Sequence, residues 1–512
     1  MKLLKENIHY LLLLSSVFFL WNPSKFGVDD GYFYPQIAYN IVNHGFMGFN
    51  DLYLTNGFHP LWMFFCVIAE GINFLGKGFL IYILWFFQVI SIVLGYRLFE
   101  KTIFKDSGIG KVLCLAAYCL LFFSLGTLYL TEAHLVFFTI ALLLYFLCKK
   151  YTNDFIFGFI CSLVFLGRLD HIFIIIPLGF FYWKERAWSF TSILKILLGF
   201  LFLTGPYLLS NLYLFGDIVP ISGKIKSSFP VIKFNTPFGL IPNVCIVLGC
   251  LYLLFLTFAK NVSYRWIKIL YVVGSLIHLF YNLFFQAHIG QWYFVSQYIF
   301  FGMFINDLTE KIQFGIVKKT IPYVALSVIL ILFVCLVGGL KLTTNLSLAY
   351  NVFNSESKFE KKPKDLLQGL AEDLVHVIPK ESRIYVYDFP GRFAYYSDFN
   401  FVPADALVAN PVFFNEINSF RFKNYLQKNK IHYLLLPTHI SPKRKSIDFM
   451  GVEVKRSENN ENIFYFKNTL SKKIVDSTDE NDLIKVKTYL NPGKTWQPFY
   501  DSVTVYKLKV NK

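Results

Sequence analysis

Long apolar segments follow one another through the first two-thirds of the chain, and they constrain the fold more than any other feature. A helix needs about 20 mainly apolar residues to cross about 30 Å of hydrocarbon. Segments near this length lie at 8–21, 79–98, 111–129, 133–148, 155–167, 170–183, 190–213, 237–258, 266–285, 292–305 and 320–340. The composition agrees, because 55% of the 512 residues are hydrophobic and only 16% are charged. We therefore predict a mainly α-helical polytopic membrane protein with about 11 spans.

Lysine and arginine in the short connections predict the orientation, since cytoplasmic loops are enriched in basic residues. Basic connections lie at 97–111, 149–154, 184–188, 260–268 and 311–319. All of them face one side if the spans alternate from 79–98 onward and if the apolar stretch 59–75 enters the membrane without crossing it. This arrangement predicts that the N-terminus is inside and that residues 22–58, a large first loop, and 345–512 are outside.

The composition changes after residue 340. Charged residues become frequent, and short β-like runs at 383–387, 432–436, 463–466 and 503–508 alternate with helical patterns at 363–377 and 415–429. This pattern predicts a transmembrane domain at 1–340 and an extracytoplasmic soluble α/β domain at 341–512. All eight cysteines lie between Cys66 and Cys335, so structural disulfides in the tail are not expected. The net charge of +16 is explained first by cytoplasmic loops and lipid headgroups, and nucleic acid is not an expected partner.

Polar side chains in the predicted outer loops are the candidates for function, because such groups are costly at the membrane. Asp29 and Asp30 follow the first span, and either carboxylate could act as a general base or help to hold a divalent metal. A solvated Asp-Gly turn is the alternative. Asn56 and His59 open the 59–75 stretch; His59 could contact a substrate phosphate or hydroxyl, or simply cap a helix.

Basic and aromatic groups lie in the other predicted outer loops. Arg168 could offer its guanidinium to a phosphate, or form an ion pair with the neighbouring Asp170. Lys224 and Lys226 suit a phosphate at the membrane surface, and an extended loop would aim both to one side because they are two positions apart. Two lysines that extend to lipid headgroups are the alternative. The remaining outer candidates are Glu132, Trp292 and Tyr293, of which the aromatic pair could be an interfacial anchor only.

Together these residues suit an anionic lipid-linked substrate and a hydroxylated acceptor. The chain has no Gly-x-x-x-x-Gly-Lys-Ser/Thr loop, no Gly-x-Ser-x-Gly elbow and no His-Glu-x-x-His motif. The sequence therefore does not favour ATP hydrolysis, acyl transfer by a serine elbow or zinc proteolysis.

The first outer loop resembles that of bacterial polytopic glycosyltransferases of the GT-C superfamily, relatives of the protein O-mannosyltransferases and the lipid A aminoarabinose transferase. The similar block runs from Asp29-Asp30-Gly31-Tyr32 to Asn56-Gly57-Phe58-His59-Pro60. The resemblance extends to Glu132, Arg168-Leu169-Asp170, Pro220–Lys226, Trp292-Tyr293 and the tail motifs at 388–397 and 403–408. The sequence departs from the family pattern in two places: Thr131 and Ala133 flank Glu132 where Met and Thr are expected, and Ala406 stands in place of Gly.

The resemblance implies a GT-C-like fold in the bacterial inner membrane. It also implies transfer of a hexosyl or pentosyl group from a polyprenyl-phosphate donor to a hydroxyl of a glycan, lipid or protein. In this hypothesis Asp30, or otherwise Asp29, is the catalytic base, and Arg168, Lys224 and Lys226 bind the donor phosphate. His59, Asn56, Glu132, Asp170, Trp292 and Tyr293 contact substrate, and a divalent metal is possible. A transporter or flippase of an anionic lipid or lipid-linked sugar is the main alternative, and a polymer-binding scaffold is a third.

Overall fold

The computed structural model describes residues 10, 29–104, 129–233, 240–259, 261–287, 289–313, 366–388, 390–411, 413, 422–440, 446–449, 451–458, 461–467, 473–490 and 500–509. Three predicted spans, 8–21, 111–129 and 320–340, lie outside the described residues except for Tyr10 and Tyr129.

The eight other predicted spans all correspond to helices. The described helices of the membrane domain are α1 (Asp29–His44), α2 (Pro60–Gly71), α3 (Leu80–Glu100), α4 (Ala133–Cys148), α5 (Asp154–Gly167), α6 (Ile172–Glu185), α7 (Phe190–Phe215), α8 (Ile221–Lys226), α9 (Leu240–Phe258), α10 (Arg265–Phe285) and α11 (Val295–Gln313). Four of the described helical segments are long and apolar enough to cross a membrane: Lys77–Glu100, Phe190–Phe215, Ile241–Phe258 and Arg265–Phe285. The predicted polytopic helical fold is confirmed.

Local sequence signals explain where these helices start and stop. The side chain of Asn153 accepts a hydrogen bond from the backbone N–H of Ile156 and caps the start of α5. Ser189 caps α7 in the same way, and Gly216 ends α7 in the left-handed conformation (φ 68°) that glycine adopts at low cost. The boundaries of both helices therefore follow from ordinary capping residues.

Helices α5 and α7 approach each other closely through two glycines. A Cβ atom on Gly158 would lie 2.0 Å from the carbonyl oxygen of Ile196, and one on Gly199 would lie 2.1 Å from that of Phe155. Such contacts between backbones require glycine on both helices, as is common where membrane helices pack without a hydrophobic driving force.

The segment predicted as the first outer loop is partly helical instead, because Asp29–His44 forms helix α1. The two aspartates occupy its first turn, where carboxylates interact favourably with the helix dipole. The following apolar stretch forms α2, whose 12 residues rise only about 18 Å. That length is too short to cross the bilayer, as the sequence predicts for 59–75.

The C-terminal region contains helices and strands in alternation, and its predicted α/β character is confirmed. Its helices are α12 (Leu366–Val377), α13 (Pro390–Tyr395) and α14 (Phe422–Lys428). Its strands are β1 (Arg383–Val386), β2 (Asn400–Pro403), β3 (Ile431–Ile440), β4 (Ser446–Asp448), β5 (Val452–Arg456), β6 (Asn462–Lys467), β7 (Ile474–Asp479), β8 (Leu483–Leu490) and β9 (Tyr500–Leu508). One sheet has the order β2-β1-β3-β9-β8, with β1 parallel to both of its neighbours, and the other is the antiparallel β4-β5-β6-β7.

Buried hydrogen bonds join this C-terminal region to the segment between α1 and α2. The Asn50 side chain donates to the carbonyl oxygen of Phe401 at 3.0 Å, and the Thr55 hydroxyl donates to that of Ala409 at 2.7 Å. Both donors are almost fully buried, so leaving either unpaired would cost roughly 1–3 kcal/mol. The C-terminal region therefore fixes the path of the segment between α1 and α2.

Candidate functional site

A cavity of about 750 Å³ lies where α1, α5, α8, the α10–α11 connection and the C-terminal region meet. Nine of the eleven predicted site residues line it. These residues are Asp30, His59, Glu132, Arg168, Asp170, Lys224, Lys226, Trp292 and Tyr293. The two that do not line it are Asp29 and Asn56. Residues separated by up to 263 positions in the sequence thus meet around one space.

Asp30 and Lys226 form an ion pair in the lining of this cavity. Lys226 Nζ lies 3.5 Å from Asp30 Oδ2, and the Asp30 side chain is 36% exposed while that of Lys226 is 10% exposed. Burial alone would lower the pKa of Lys226, but interactions with Tyr293 and Asp30 raise it above its usual range. A permanently charged ammonium therefore stands beside an accessible carboxylate.

Asp29 has a different environment although it adjoins Asp30. Its carboxylate accepts hydrogen bonds from the backbone N–H groups of Arg392 at 2.8 Å and Gly391 at 3.1 Å. Burial raises the pKa of Asp29 well above its usual value, opposed in part by these hydrogen bonds. Consecutive helical residues point about 100° apart, so only one of the two aspartates can face the cavity. Asp29 joins α1 to the start of α13 instead.

Arg168 lies at the centre of a buried ion network. Its Nη1 donates to Glu132 Oε1 at 2.6 Å, and its Nε and Nη2 donate to the two oxygens of Asp170 at 3.1 and 3.0 Å. The guanidinium also packs on the ring of Tyr293, 3.8 Å from its centroid. Arg168 thus directs most of its donors at two carboxylates, so its predicted role as a phosphate ligand receives little geometric support.

The same network reaches His59 and a tyrosine that the sequence analysis did not single out. His59 Nε2 lies 3.5 Å from Glu132 Oε1, and Tyr34 donates to Glu132 Oε2 at 3.3 Å. Burial lowers the pKa of His59, while Glu132 opposes the shift. His59 is therefore a mainly neutral imidazole at neutral pH, able to donate or accept one hydrogen bond at the cavity wall.

Lys224 and Lys226 point in different directions, which differs from the prediction that both face one side. That prediction assumed an extended loop, but residues 221–226 form helix α8, in which positions i and i+2 lie on different faces. Lys224 pairs with Asp217, and both side chains are about one-third exposed. Lys226 alone turns toward Asp30.

Asn56 positions α8 rather than lining the cavity. Its side-chain oxygen accepts a hydrogen bond from the backbone N–H of Ile221 at 3.1 Å, and its amide nitrogen donates to Asn211 at 3.4 Å. Because Ile221 is the first residue of α8, Asn56 holds the helix that carries Lys226. The described contacts of the Asn56 side chain therefore position α8, and its contact with substrate stays a prediction.

Asp405 brings a further carboxyl close to the pair from the C-terminal region. Its side chain accepts a hydrogen bond from the backbone N–H of Leu407, a residue that lines the cavity. Burial raises the pKa of Asp405 to about 7, and the charges of Asp30 and Asp388 add to this shift. The tail motif at 403–408 was a signal for this residue, although Asp405 was not among the predicted site residues.

A histidine in α10 was missed entirely. His278 Nε2 lies 3.0 Å from Asp170 Oδ2, 108 residues away in the sequence. The signal that could have revealed it is its position inside an apolar span, where an ionisable residue is costly unless it has a function or a partner.

Apolar as well as ionic side chains line the cavity. Phe165, Phe173 and Phe229 line it together with the ionic groups described above. A carboxylate, an ammonium and a neutral imidazole around one space can take a proton from a hydroxyl, stabilise a phosphate and hydrogen-bond a sugar.

Comparisons with solved structures support the fold. No protein-family model and no curated protein sequence matches the chain. The crystal structure of ArnT from Cupriavidus metallidurans bound to undecaprenyl phosphate matches with a TM-score of 0.51 and 13% identity, over 85% of this chain and 92% of that one. The apo state of the same protein matches with a TM-score of 0.49 and 13% identity, over 83% and 92%. The likeness to the first of these structures confirms, at the level of the fold, the resemblance that the sequence predicts.

Proposed function

We propose that this protein is a membrane glycosyltransferase that moves a sugar from a polyprenyl-phosphate donor to a hydroxyl acceptor at the outer face of the membrane. The observation that carries the proposal is the pair of Asp30 and Lys226, which lie 3.5 Å apart in the lining of the cavity, with the Asp30 carboxylate partly exposed. The fold shared with ArnT, which was crystallised with undecaprenyl phosphate, supports a donor of the same lipid class.

In this proposal Asp30 is the catalytic base. Its carboxylate accepts the proton of the acceptor hydroxyl as the hydroxyl oxygen attacks the anomeric carbon of the donor sugar. The new C–O bond forms as the bond between the anomeric carbon and the phosphate oxygen breaks. The lipid phosphate leaves with the electron pair, and attack from the opposite side inverts the anomeric centre.

Lys226 stabilises the leaving phosphate. Its ammonium is buried, permanently charged and close to Tyr293, whose hydroxyl offers a further donor. An ammonium in a site shielded from water stabilises developing negative charge more strongly than one in solution. The buried network of Arg168, Glu132 and Asp170 serves in this view to hold Tyr293 and the cavity wall rather than to bind phosphate.

Purified protein in nanodiscs tests the proposal. The chain is incubated with synthetic undecaprenyl-phosphate sugars, both hexoses and pentoses, together with envelope extract from cells that lack the protein. Release of free undecaprenyl phosphate and gain of one sugar on an acceptor, both followed by mass spectrometry, are expected. A transporter would move the lipid-linked sugar across the bilayer and leave it intact.

The variant Asp30→Asn keeps the shape of the side chain but removes its basicity. We expect it to lower the transfer rate by at least about 100-fold while undecaprenyl phosphate still binds. Asp29→Asn is the matched control, since it makes the same change at the adjacent residue and keeps one side-chain oxygen, which can accept from one of the N–H groups of Gly391 and Arg392. A larger loss of rate in Asp29→Asn than in Asp30→Asn would reverse the assignment of the base.

A further inference from the structure

Behind the cavity wall, three side chains from two helical segments place metal-binding atoms together. Asp170, His171 and His278 each offer one such atom, and these three atoms all lie within 4.8 Å of one another. Asp170 and His171 belong to the short turn between α5 and α6, and His278 belongs to α10. The rings of the two histidines pack edge to face, with centroids 4.9 Å apart.

His171 supplies the observation that points to a ligand. It is fully buried, and neither ring nitrogen has a hydrogen-bond partner among the described residues. Leaving a buried polar group of this kind unpaired costs roughly 1–3 kcal/mol, so native proteins rarely keep one without a purpose. The same cluster contains a second such atom, the side-chain oxygen of Asn282, whose amide nitrogen lies 2.9 Å from His278 Nε2.

The local charge also favours a cation. Glu132 and Asp170 bring two carboxylates to the buried network, against one guanidinium from Arg168. Asp170 gives both oxygens to Arg168, yet each carboxylate oxygen has a second lone pair available for another partner. A divalent ion at this point would therefore offset an excess of buried negative charge.

His278 has the outer contacts that metal-bound histidines usually have. Its Nε2 faces Asp170, and its Nδ1 lies 3.4 Å from the Ser296 hydroxyl and 3.5 Å from Gln297 Nε2. When one ring nitrogen binds a metal, the other normally makes a hydrogen bond that fixes the orientation of the ring. The hydroxyl of Ser296 can accept that bond.

We propose that Asp170, His171 and His278 form a binding site for a transition-metal ion of the Zn²⁺ class. Two imidazoles and one carboxylate suit Zn²⁺ or Co²⁺, whereas Mg²⁺ and Ca²⁺ prefer oxygen ligands alone. Nitrogen and oxygen ligands lie about 2.0–2.2 Å from Zn²⁺. The three ligand atoms lie within 4.8 Å of one another, so small rotations of the side chains would bring all three to this distance from one ion. Asp170 lines the cavity, and the ion would therefore stand directly behind the wall of the site.

Metal uptake by the full-length protein in detergent tests this proposal without any sugar donor. The protein is purified with a tag that contains no histidine, stripped with a chelator and titrated with Co²⁺ and Zn²⁺. About one ion per chain is expected, together with the visible absorption of Co²⁺ bound by nitrogen ligands and a higher thermal unfolding midpoint. A wild-type protein that takes up no stoichiometric ion overturns the proposal, whatever its transferase activity.

Variants then identify the ligands. His171→Ala and His278→Ala are each expected to weaken binding at least about 100-fold, and Ser296→Ala about tenfold. His44→Ala is the matched control, since His44 is exposed at the end of α1 and should leave binding unchanged. Wild-type affinity in both His171→Ala and His278→Ala would place the ion elsewhere and refute the site. If His171→Ala does not fold, His171→Gln supplies the same comparison.

Discussion

At the scale of single residues, neighbours in the sequence have separate tasks because of the secondary structure beneath them. Asp29 and Asp30 are adjacent, yet Asp29 accepts hydrogen bonds from two backbone N–H groups while Asp30 lines the cavity. Lys224 and Lys226 diverge in the same manner on α8. The charge of a residue was visible in the sequence, but the direction of its side chain depended on a helix that was not predicted.

The two lysines allow a sharp comparison. Lys226→Ala removes a buried ammonium next to Asp30 and should lower the efficiency of donor use at least about tenfold, since a hydrogen bond to a charged group contributes roughly 1.5–3 kcal/mol. Lys224→Ala removes a partly exposed ion pair with Asp217 and should change the efficiency of donor use by less than about threefold. Steady-state kinetics with varied donor measures both. Equal losses in the two variants would contradict the ranking.

The raised pKa of the Asp405 carboxyl predicts that the stability of the folded protein depends on pH. Its pKa is raised to about 7 in the folded chain, against about 3.9 for an exposed aspartate. Its contribution to stability is therefore complete below about pH 4 and is lost as the pH rises through about 7. Asp405→Asn cannot ionise, so its unfolding midpoint should fall less between pH 5 and pH 8 than that of the wild type.

Thermal unfolding in detergent at the two pH values measures this effect. Asp398→Asn, a change at an exposed aspartate of the same region, serves as the control and should follow the wild type. If Asp405→Asn shows the same fall as the wild type, the buried carboxyl is not the group that titrates.

At the scale of secondary structure, the sequence predicted the long apolar helices and missed the short ones around the site. The span at 79–98 is nearly all apolar, and such a segment forms a helix in lipid because its backbone N–H and C=O groups must hydrogen-bond to each other. Helix α1 carries Gly31 and Pro35 within its first two turns, and both are poor helix formers, so the helix propensity of this segment is low. Its eight buried residues show that packing, rather than propensity, stabilises it.

The contacts of the site could be foreseen only where they are local. Arg168 and Asp170 are two positions apart, and their ion pair was one of the alternatives open from the sequence. Glu132 and His278 reach the same network from other helices, 36 and 108 residues away from their partners. Nothing in a single sequence specifies which turns of distant helices will be adjacent, so these contacts required the three-dimensional fold.

The segment between α1 and α2 depends on one glycine. A Cβ atom on Gly57 would lie 1.9 Å from the carbonyl oxygen of Leu407, and both residues line the cavity. Gly57→Ala must therefore separate the segment from the C-terminal region, at a cost of about 1–3 kcal/mol. We expect a lower unfolding midpoint and a reduced rate of sugar transfer.

Gly71→Ala is the matched control for this change. Gly71 is the last residue of α2 and has no heavy atom within 4 Å of the position of an added Cβ. Alanine there should leave activity unchanged and stability equal or slightly higher. If Gly57→Ala is as stable as Gly71→Ala, the segment between α1 and α2 is not in tight contact with the C-terminal region.

At the scale of the whole molecule, the membrane helices and the C-terminal region build the site together. The helices contribute Arg168 and the ion network, while the C-terminal region contributes Leu407 to the cavity and holds Asp29. Asp51 adds a further link through its ion pair with Arg383, at 2.7 Å. The C-terminal region must therefore lie on the same side of the membrane as the segment between α1 and α2.

This requirement turns the predicted topology into an experiment with two sites. Lys150 lies in the basic connection after α4, which the charge rule places in the cytoplasm, and Lys430 lies between α14 and β3 in the C-terminal region. Both side chains are exposed, so a cysteine at either position should react with a thiol reagent that reaches it. The exposed native Cys250 is first replaced by serine to lower the background.

A thiol reagent that cannot cross the inner membrane distinguishes the two positions. Lys430→Cys should be labelled in cells whose inner membrane is intact, and Lys150→Cys only after that membrane is permeabilised. Labelling of Lys150→Cys and protection of Lys430→Cys in intact cells would show the opposite topology. The cavity with Asp30 and Lys226 would then open to the cytoplasm, because the C-terminal region that closes it would lie there too. A transferase that acts on the outer face could not have that orientation, so this one measurement tests both the topology and the proposed function.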